Sequence, residues 1–242
     1  MFVDPEVLLN REALVKQASH VAEAPSHELS PDVLRRLGFL CADLSADPAL
    51  SQQGRHLAHN ELLSLISNYF LISSHTALHT RRGTLGDPPV IIAGLPRSAT
   101  TLLQHLFALD DRFQTLPAKV ALRPVEHSGN GLADRETTAR FRLRMLERLA
   151  TDVLLAHPFV PEGPEECNVA HASWIDGLQL AVLFDSPQYF EEFARCGLQR
   201  STLEGYVSLL RSWSDGRQWV LKSPGYSHSY ALLPEVMGPY ML

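Results

Sequence analysis

The chain has few cysteines and no strong excess of charge, and each shortage excludes a class of protein. Its three cysteines, Cys41, Cys167 and Cys196, lie far apart and form no Cys-x-x-Cys pair. This usage argues against a disulfide framework and favours reduced thiols in a cytosolic setting. The net charge of −6 over 242 residues provides no overall attraction to nucleic acid or to an anionic membrane. A phosphate-bearing ligand would therefore need local positive groups.

A long apolar run is also missing. The longest mainly apolar stretch covers residues 62–72, and Ser64, Ser67 and Asn68 interrupt it. It is too short and too polar to span a bilayer. The first residues lack the basic segment and apolar run of a signal peptide. The sequence therefore predicts a cytoplasmic protein without a membrane span.

The pattern of apolar residues predicts a helical extension followed by an α/β core. Residues 1–86 are predicted to be helical, with a helix start at Ser30 and a long helix from about residue 51 to 80. The turn-forming run at 86–89 marks the boundary. Residues 87–242 are predicted to form a parallel sheet flanked by helices, with buried strands at 90–93 and 219–221. Residues 112–135 are expected to be irregular.

The strand at 90–93 leads into a turn rich in hydroxyl groups. After Gly94 and Leu95 come six candidate anion-binding residues: Pro96, Arg97, Ser98, Ala99, Thr100 and Thr101. A strand, a tight turn and a helix start direct backbone N–H groups and the positive end of the helix dipole at one point, which suits a phosphate. The turn lacks the Gly-Lys-Ser/Thr arrangement of nucleoside triphosphatases, so the usual Mg-triphosphate machinery is not expected. The alternative is a turn whose small residues serve packing alone.

Two other segments carry candidate functional residues. The strand at 219–221 ends in the tripeptide Lys-Ser-Pro at 222–224. Because open α/β sheets bind ligands at the carboxyl ends of their strands, Lys222 is a candidate for contact with an anion. The alternative for Lys222 is a solvated strand end. A proline-rich loop at 157–164 leads into Glu165 and Glu166, whose acidic side chains are typical of a helix start.

These segments together resemble the sulfotransferase superfamily, in particular its broad bacterial branch with an N-terminal helical extension. The resemblance rests on four stretches: the loop and helix start at 94–103, Ala-Leu-Asp at 108–110, the stretch at 157–167 that ends in Pro-Glu-Glu-Cys, and Trp-Val-Leu-Lys-Ser-Pro at 219–224. The first and fourth are specific as a pair. The resemblance implies a sheet like that of the P-loop-containing nucleoside triphosphate hydrolases.

The resemblance also implies a reaction. It is the transfer of a sulfuryl group from 3′-phosphoadenosine 5′-phosphosulfate to a hydroxyl or amine of a small-molecule acceptor, with no role for nucleic acid. Residues 96–101 would bind the 5′-phosphosulfate end of this donor, and Lys222 would contact the leaving oxygen. Nothing recognisable in residues 112–200 specifies the acceptor.

The transfer needs a base that takes the proton of the acceptor. His228 is a candidate because an imidazole is suited to proton transfer near neutral pH. Glu165 or Glu166 would serve if buried. The transfer itself needs no metal, and none is predicted. His75 and His79 have the spacing of metal ligands on a helix, but no third ligand is evident.

The sequence departs from the pattern of the family in three places. Residue 99 is Ala where the family usually has Gly, and a methyl group there is accommodated if the backbone is helical. Tyr226 stands where the family tends to have His. The sequence ends at Leu242, before the strand whose arginine contacts the 3′-phosphate of the donor. The resemblance thus predicts a C-terminally truncated member, with an unpaired sheet edge and a tendency to self-associate.

Two other functions stay open at this point. The first is a P-loop kinase or nucleotide hydrolase, which the missing loop lysine disfavours and which Mg-dependent ATP turnover would support. The second is a non-catalytic remnant that folds poorly or binds a partner through its helical segment. The early end of the sequence favours this second alternative.

Overall fold

A parallel three-stranded sheet lies at the centre of the molecule. The computed structural model describes residues 8–24, 28–78, 85–95, 98–127 and 131–242. The strands are β1 (Val90–Ile92), β2 (Phe113–Gln114) and β3 (Gln218–Lys222), in the order β1-β3-β2. Both pairings are parallel, with Val90 beside Val220 and Phe113 beside Gln218. The predicted α/β fold with a parallel sheet is confirmed.

Helices form the N-terminal part of the chain and flank the sheet. The N-terminal helices whose full extent lies within the described residues are α1 (Arg11–Val21), α2 (Pro31–Ala46) and α3 (Gln52–Leu78). Between β1 and β3 lie α4 (Thr100–Phe107), α5 (Ala118–Leu122), α6 (Arg135–Leu149), α7 (Thr151–Ala156), α8 (Cys167–His171), α9 (Leu178–Leu183), α10 (Pro187–Cys196) and α11 (Arg200–Trp213). Helix α12 (Leu233–Met237) follows β3, and short 3-10 helices cover Ala172–Trp174 and Pro224–His228.

The two strands that the sequence predicts are present, and the third was not predictable. The apolar run Trp219–Leu221 of β3 is almost completely buried, as expected for the central strand of a covered parallel sheet. The stretch at 112–135, expected to be irregular, contains β2 and α5. A two-residue strand is too short for any alternation of apolar and polar residues to reveal it.

The N-terminal helices pack against the rest of the chain. The predicted helix start is confirmed, because the Ser30 side chain accepts a backbone N–H of the first turn of α2 at 3.4 Å. From α2, the buried Arg36 forms an ion pair with Asp176 and donates to the C=O of Gly197 at 2.8 Å. One apolar core includes side chains of α1 to α3 and of the sheet. The boundary at residues 86–87 stays a prediction.

The outer edge of β1 is partly covered by the last residues of the chain. Met241 bridges Val90 in the parallel sense. Its C=O accepts the N–H of Ile91 at 2.7 Å, and its N–H donates to the C=O of Pro89 at 3.0 Å. The expectation of an unpaired edge is therefore wrong for this side of β1, because the chain turns back beside the strand after α12. Self-association stays a prediction.

Helix α4 exposes its leucines and buries an amide. Leu102, Leu103 and Leu106 are exposed, whereas Gln104 is almost completely buried. The Gln104 side chain donates to the C=O of Glu165 at 2.9 Å.

Within the described ranges, no helix has both the length and the apolar character needed to cross a membrane.

Candidate functional site

The loop between β1 and α4 folds tightly on itself. The Ser98 hydroxyl donates to the C=O of Leu95 at 2.6 Å. A Cβ atom on Gly94 would lie 3.1 Å from both the Ser98 Oγ and a methyl carbon of Thr100. A larger residue at 94 would require both side chains to shift by a few tenths of an ångström. Among the described residues of this loop, Ser98 and Leu95 are thus joined by a local hydrogen bond.

The residue before α4 has an unusual backbone. Ala99 lies in the left-handed region, with φ 61° and ψ 15°. This conformation costs a non-glycine residue about 1–2 kcal/mol, which explains why glycine suits the position. The sequence predicts that the methyl group of Ala99 is accommodated if the backbone is helical, but the backbone here is left-handed and not that of a regular α-helix. No side chain among the described residues caps α4, so its first N–H groups remain available to a ligand. Pro96 and Arg97, also predicted to bind the donor, lie outside the described residues.

Lys222 connects the end of β3 to the start of α4. Its ammonium forms an ion pair with the Glu166 carboxylate and lies 3.3 Å from the Thr101 hydroxyl. Its side chain is 3% exposed, and that of Glu166 is 16% exposed. Burial lowers the pKa of Lys222 to about 8, and the Glu165 carboxylate acts in the opposite direction. The structure therefore brings together Lys222, Glu166 and Thr101, three of the predicted site residues.

Glu165 is buried and fixed on three sides. Its N–H donates to the C=O of Leu116 at 2.8 Å, and its own C=O accepts the Gln104 amide. Its carboxylate Oε1 accepts the N–H of Glu166 at 2.8 Å. The same Oε1 lies 3.1 Å from Nε2 of His157. The two consecutive carboxylates thus have different partners, an imidazole for Glu165 and an ammonium for Glu166.

His157 was not among the predicted site residues. In the sequence it stands only as the first residue of the stretch at 157–167 that resembles the family. The available signal was the eight-residue interval between His157 and Glu165 across a proline-rich loop. A loop with three prolines can adopt too many conformations for that interval to predict a contact.

His228 lies apart from these residues. It is exposed in the 3-10 helix after β3, and its ring centroid is 6.0 Å from that of Phe193. Within the described part of the chain, no hydrogen bond or ion pair joins it to Lys222, Glu165 or Glu166. Its predicted role as a base stays a prediction.

Four buried polar side chains form a cluster that begins at Cys167, the residue after Glu166. Cys167, His171, Tyr206 and Tyr226 are all buried, and the His171 ring stands edge-on to Tyr206 with centroids 4.6 Å apart. Burial lowers the pKa of His171 to about 3 and raises the pKa of the Cys167 thiol. Both groups are therefore uncharged near neutral pH.

No group of three or more His, Cys, Asp or Glu side chains suited to a metal ion occurs among the residues that the structure describes. His75 lies near the end of α3, and His79, the other residue of the predicted pair of metal ligands, lies outside the described residues. The absence of a metal from the reaction stays a prediction.

Comparison with known proteins identifies the fold. No family model matches the sequence, and no curated protein is significantly similar to it. In three dimensions the chain is similar to sulfotransferase STF9 from Mycobacterium avium, with a TM-score of 0.77 and 19% sequence identity. It is also similar to sulfotransferase STF1 from Mycobacterium tuberculosis H37Rv, with a TM-score of 0.68 and 18% identity. The chain has the sulfotransferase fold.

The matches extend over most of this chain and part of each mycobacterial protein. They cover 93% of this chain, 59% of STF9 and 64% of STF1. The chain thus spans about three fifths of the length of the two sulfotransferases. Within the sulfotransferase fold, Lys222 is the last residue of β3, and Thr101 lies in the first turn of the helix that follows the neighbouring β1. The carboxyl ends of the strands are where parallel α/β sheets bind their ligands.

Proposed function

We propose that the chain is a sulfotransferase. It moves a sulfuryl group from 3′-phosphoadenosine 5′-phosphosulfate to a hydroxyl or amine of a small-molecule acceptor. The observation that carries this proposal is the contact of the buried Lys222 ammonium with Thr101, in the first turn of α4, on a sulfotransferase fold. A buried cation beside an uncapped helix start suits a ligand with several negative charges.

The donor is held by the loop before α4. The backbone N–H groups of residues 98–101 and the hydroxyls of Ser98, Thr100 and Thr101 donate to its 5′-phosphosulfate. Arg97 adds charge-assisted hydrogen bonds, and Pro96 holds the turn. The left-handed backbone of Ala99 supports this role, because it turns the chain sharply before the first helical N–H groups.

Lys222 acts on the leaving group. In sulfuryl transfer, the bond between sulfur and the bridging oxygen breaks, and negative charge collects on the departing phosphate. A pKa of about 8 leaves the Lys222 ammonium mostly protonated at pH 7, so it stabilises that charge. The Glu166 carboxylate holds the ammonium at the end of β3 before the donor binds.

A base must also take the proton of the acceptor. Glu166 is paired with Lys222, which weakens it as a base. Glu165 is buried and contacts His157, so it belongs to a unit suited to proton transfer. His228 would act only if the acceptor reached its exposed position beside Phe193.

Binding of adenosine 3′,5′-bisphosphate, measured by calorimetry, tests the donor site. Arg97→Ala should weaken binding by about tenfold or more, because charge-assisted hydrogen bonds contribute about 1.5–3 kcal/mol each. Arg140→Ala is the control, since this arginine lies exposed on α6 and pairs with Glu136. With a radiolabelled donor and a panel of phenols, alcohols and amines, Lys222→Ala should lower the transfer rate more than the donor affinity.

Two results would contradict the proposal. One is a wild-type chain that binds neither the bisphosphate nor the sulfated donor. The other is Mg-dependent ATP turnover without sulfuryl transfer, which would favour a P-loop kinase or hydrolase instead.

A further inference from the structure

We propose that His157 and Glu165 form a catalytic dyad in which Nδ1 of His157 accepts the proton of the acceptor. This inference rests on the proposed function, because it names the base for sulfuryl transfer. In it, His157 is a catalytic residue and Glu165 is a positioning residue. It differs from the sequence-based expectation, in which His228, Glu165 or Glu166 took the proton directly.

The hydrogen bonds around Glu165 determine which nitrogen of His157 is available. An ionised carboxylate only accepts hydrogen bonds, so Nε2 of His157 must donate to Oε1 at 3.1 Å. The same Oε1 accepts the N–H of Glu166, which keeps it in an accepting role. A neutral His157 with its hydrogen on Nε2 has its lone pair on Nδ1. Nδ1 is therefore the atom that can take a proton.

The burial of the two partners fits these roles. The Glu165 side chain is 6% exposed, whereas that of His157 is 37% exposed. The carboxylate is thus shielded, while the imidazole is accessible to an acceptor molecule. The backbone of His157 is fixed at the end of α7, where its N–H donates to the C=O of Val153 at 2.7 Å. Since Gln104 and Leu116 hold the backbone of Glu165, neither partner depends on the bound acceptor for its position.

The dyad is tied to the lysine that contacts the donor. Glu165 holds His157, and the next residue, Glu166, holds Lys222. The N–H of Glu166 donates to the Glu165 carboxylate, so the two anchors form one hydrogen-bonded unit. The imidazole of His157 and the ammonium of Lys222 are thus held by the carboxylates of two consecutive residues. By contrast, the described contacts of the His228 ring are with Phe193.

In the proposed step, the acceptor loses its proton as it takes up the sulfuryl group. The acceptor oxygen forms a bond to sulfur as the bond from sulfur to the bridging oxygen breaks, and that electron pair stays on the phosphate. The acceptor proton moves to Nδ1 of His157, which becomes an imidazolium. The Glu165 carboxylate stabilises this new charge, and Lys222 stabilises the phosphate.

The first test measures the dyad without turnover. In protein labelled with 15N-histidine, the NMR signal of His157 is assigned as the one that is absent from His157→Asn. This signal should have the chemical shifts of the tautomer with hydrogen on Nε2. In Glu165→Gln, the hydrogen should no longer be confined to Nε2, because a glutamine side chain can donate to Nε2 as well as accept from it. The signal of His20, exposed on α1, should be the same in both proteins and serves as the control. A His157 tautomer that is the same in Glu165→Gln would overturn the dyad.

The second test measures turnover with the labelled donor. His157→Asn should lower kcat by about 10²–10⁴-fold, the usual contribution of a general base, with adenosine 3′,5′-bisphosphate binding unchanged. Glu165→Gln should lower kcat less than His157→Asn does, because the imidazole stays in place but loses the partner that fixes its tautomer. His20→Asn should leave turnover unchanged. If His157→Asn fails to bind the bisphosphate, His157→Gln takes its place.

The outcomes separate this inference from the proposed function. A wild-type chain that binds the donor without transferring sulfate counts against the proposed function, and the NMR result still decides the dyad. A wild-type chain that transfers sulfate while His157→Asn and His157→Gln keep full kcat overturns the role of His157 and leaves the proposed function intact.

Discussion

The two halves of the candidate site are held by different kinds of contact. The loop before α4 is exposed at Ser98 and Ala99, and Ser98 bonds within the loop. The end of β3 is buried, and Lys222 reaches residues 56 and 121 positions away in the sequence. The loop is thus held by contacts between residues close in the sequence and contains the left-handed Ala99. The end of β3 depends on contacts between residues far apart in the sequence. Substitutions should therefore affect stability strongly at the end of β3 and only mildly in the loop.

The largest effect is expected from Glu166→Ala. It leaves the buried Lys222 ammonium without its partner, so the free energy of unfolding should fall by about 3 kcal/mol at pH 6.5. Lys222→Met should cost clearly less, because the carboxylate left behind is the more exposed partner. Urea denaturation measures both. Glu235→Ala, which breaks an exposed ion pair with Arg200, is the control and should stay within about 0.5 kcal/mol. Equal losses for the two site variants would contradict the asymmetry.

A smaller effect is expected from pH. Because burial lowers the pKa of Lys222 from 10.5 to about 8, the unfolded chain binds more protons than the folded chain between these values. The contribution of this group to stability should therefore rise as pH increases from about 8 to 10.5. Urea denaturation across this range should show the stability of the wild type rising relative to Lys222→Met. In Glu166→Ala the rise should begin at lower pH, since the unpaired ammonium loses its proton sooner. A constant difference between wild type and Lys222→Met would show that Lys222 titrates normally.

The smallest effect is expected in the loop, with the opposite sign. Ala99→Gly should stabilise the chain by about 1 kcal/mol, because glycine adopts the left-handed backbone without steric cost. The matched control is Ala108→Gly at the end of α4, where the backbone is right-handed and glycine should destabilise by about 0.5–1 kcal/mol. Thermal unfolding of both variants checks the prediction. Destabilisation by glycine at both positions would mean that Ala99 is not strained.

Much of the fold follows from local sequence. Ser30 accepts a backbone N–H at the start of α2, as a serine before a proline predicts, and the long helix predicted over about 51–80 is α3. The strands β1 and β3 are continuous apolar runs, bounded by turn residues or by Lys222. Each of these features depends on residues a few positions apart, so a sequence pattern suffices to predict it. The two-residue β2 has no such pattern, and only its pairing with β3 makes it a strand.

The candidate site divides in the same way. The types of group can be read from the residues alone: a glycine turn, hydroxyls at a helix start, a lysine at a strand end and two adjacent carboxylates. Their partners depend on how the chain packs, which pairs Glu166 with Lys222 and Glu165 with His157 and places His228 beside Phe193. A charge removed from water takes whichever opposite charge or hydrogen-bond partner the packing brings to it, and that choice involves residues far apart in the chain.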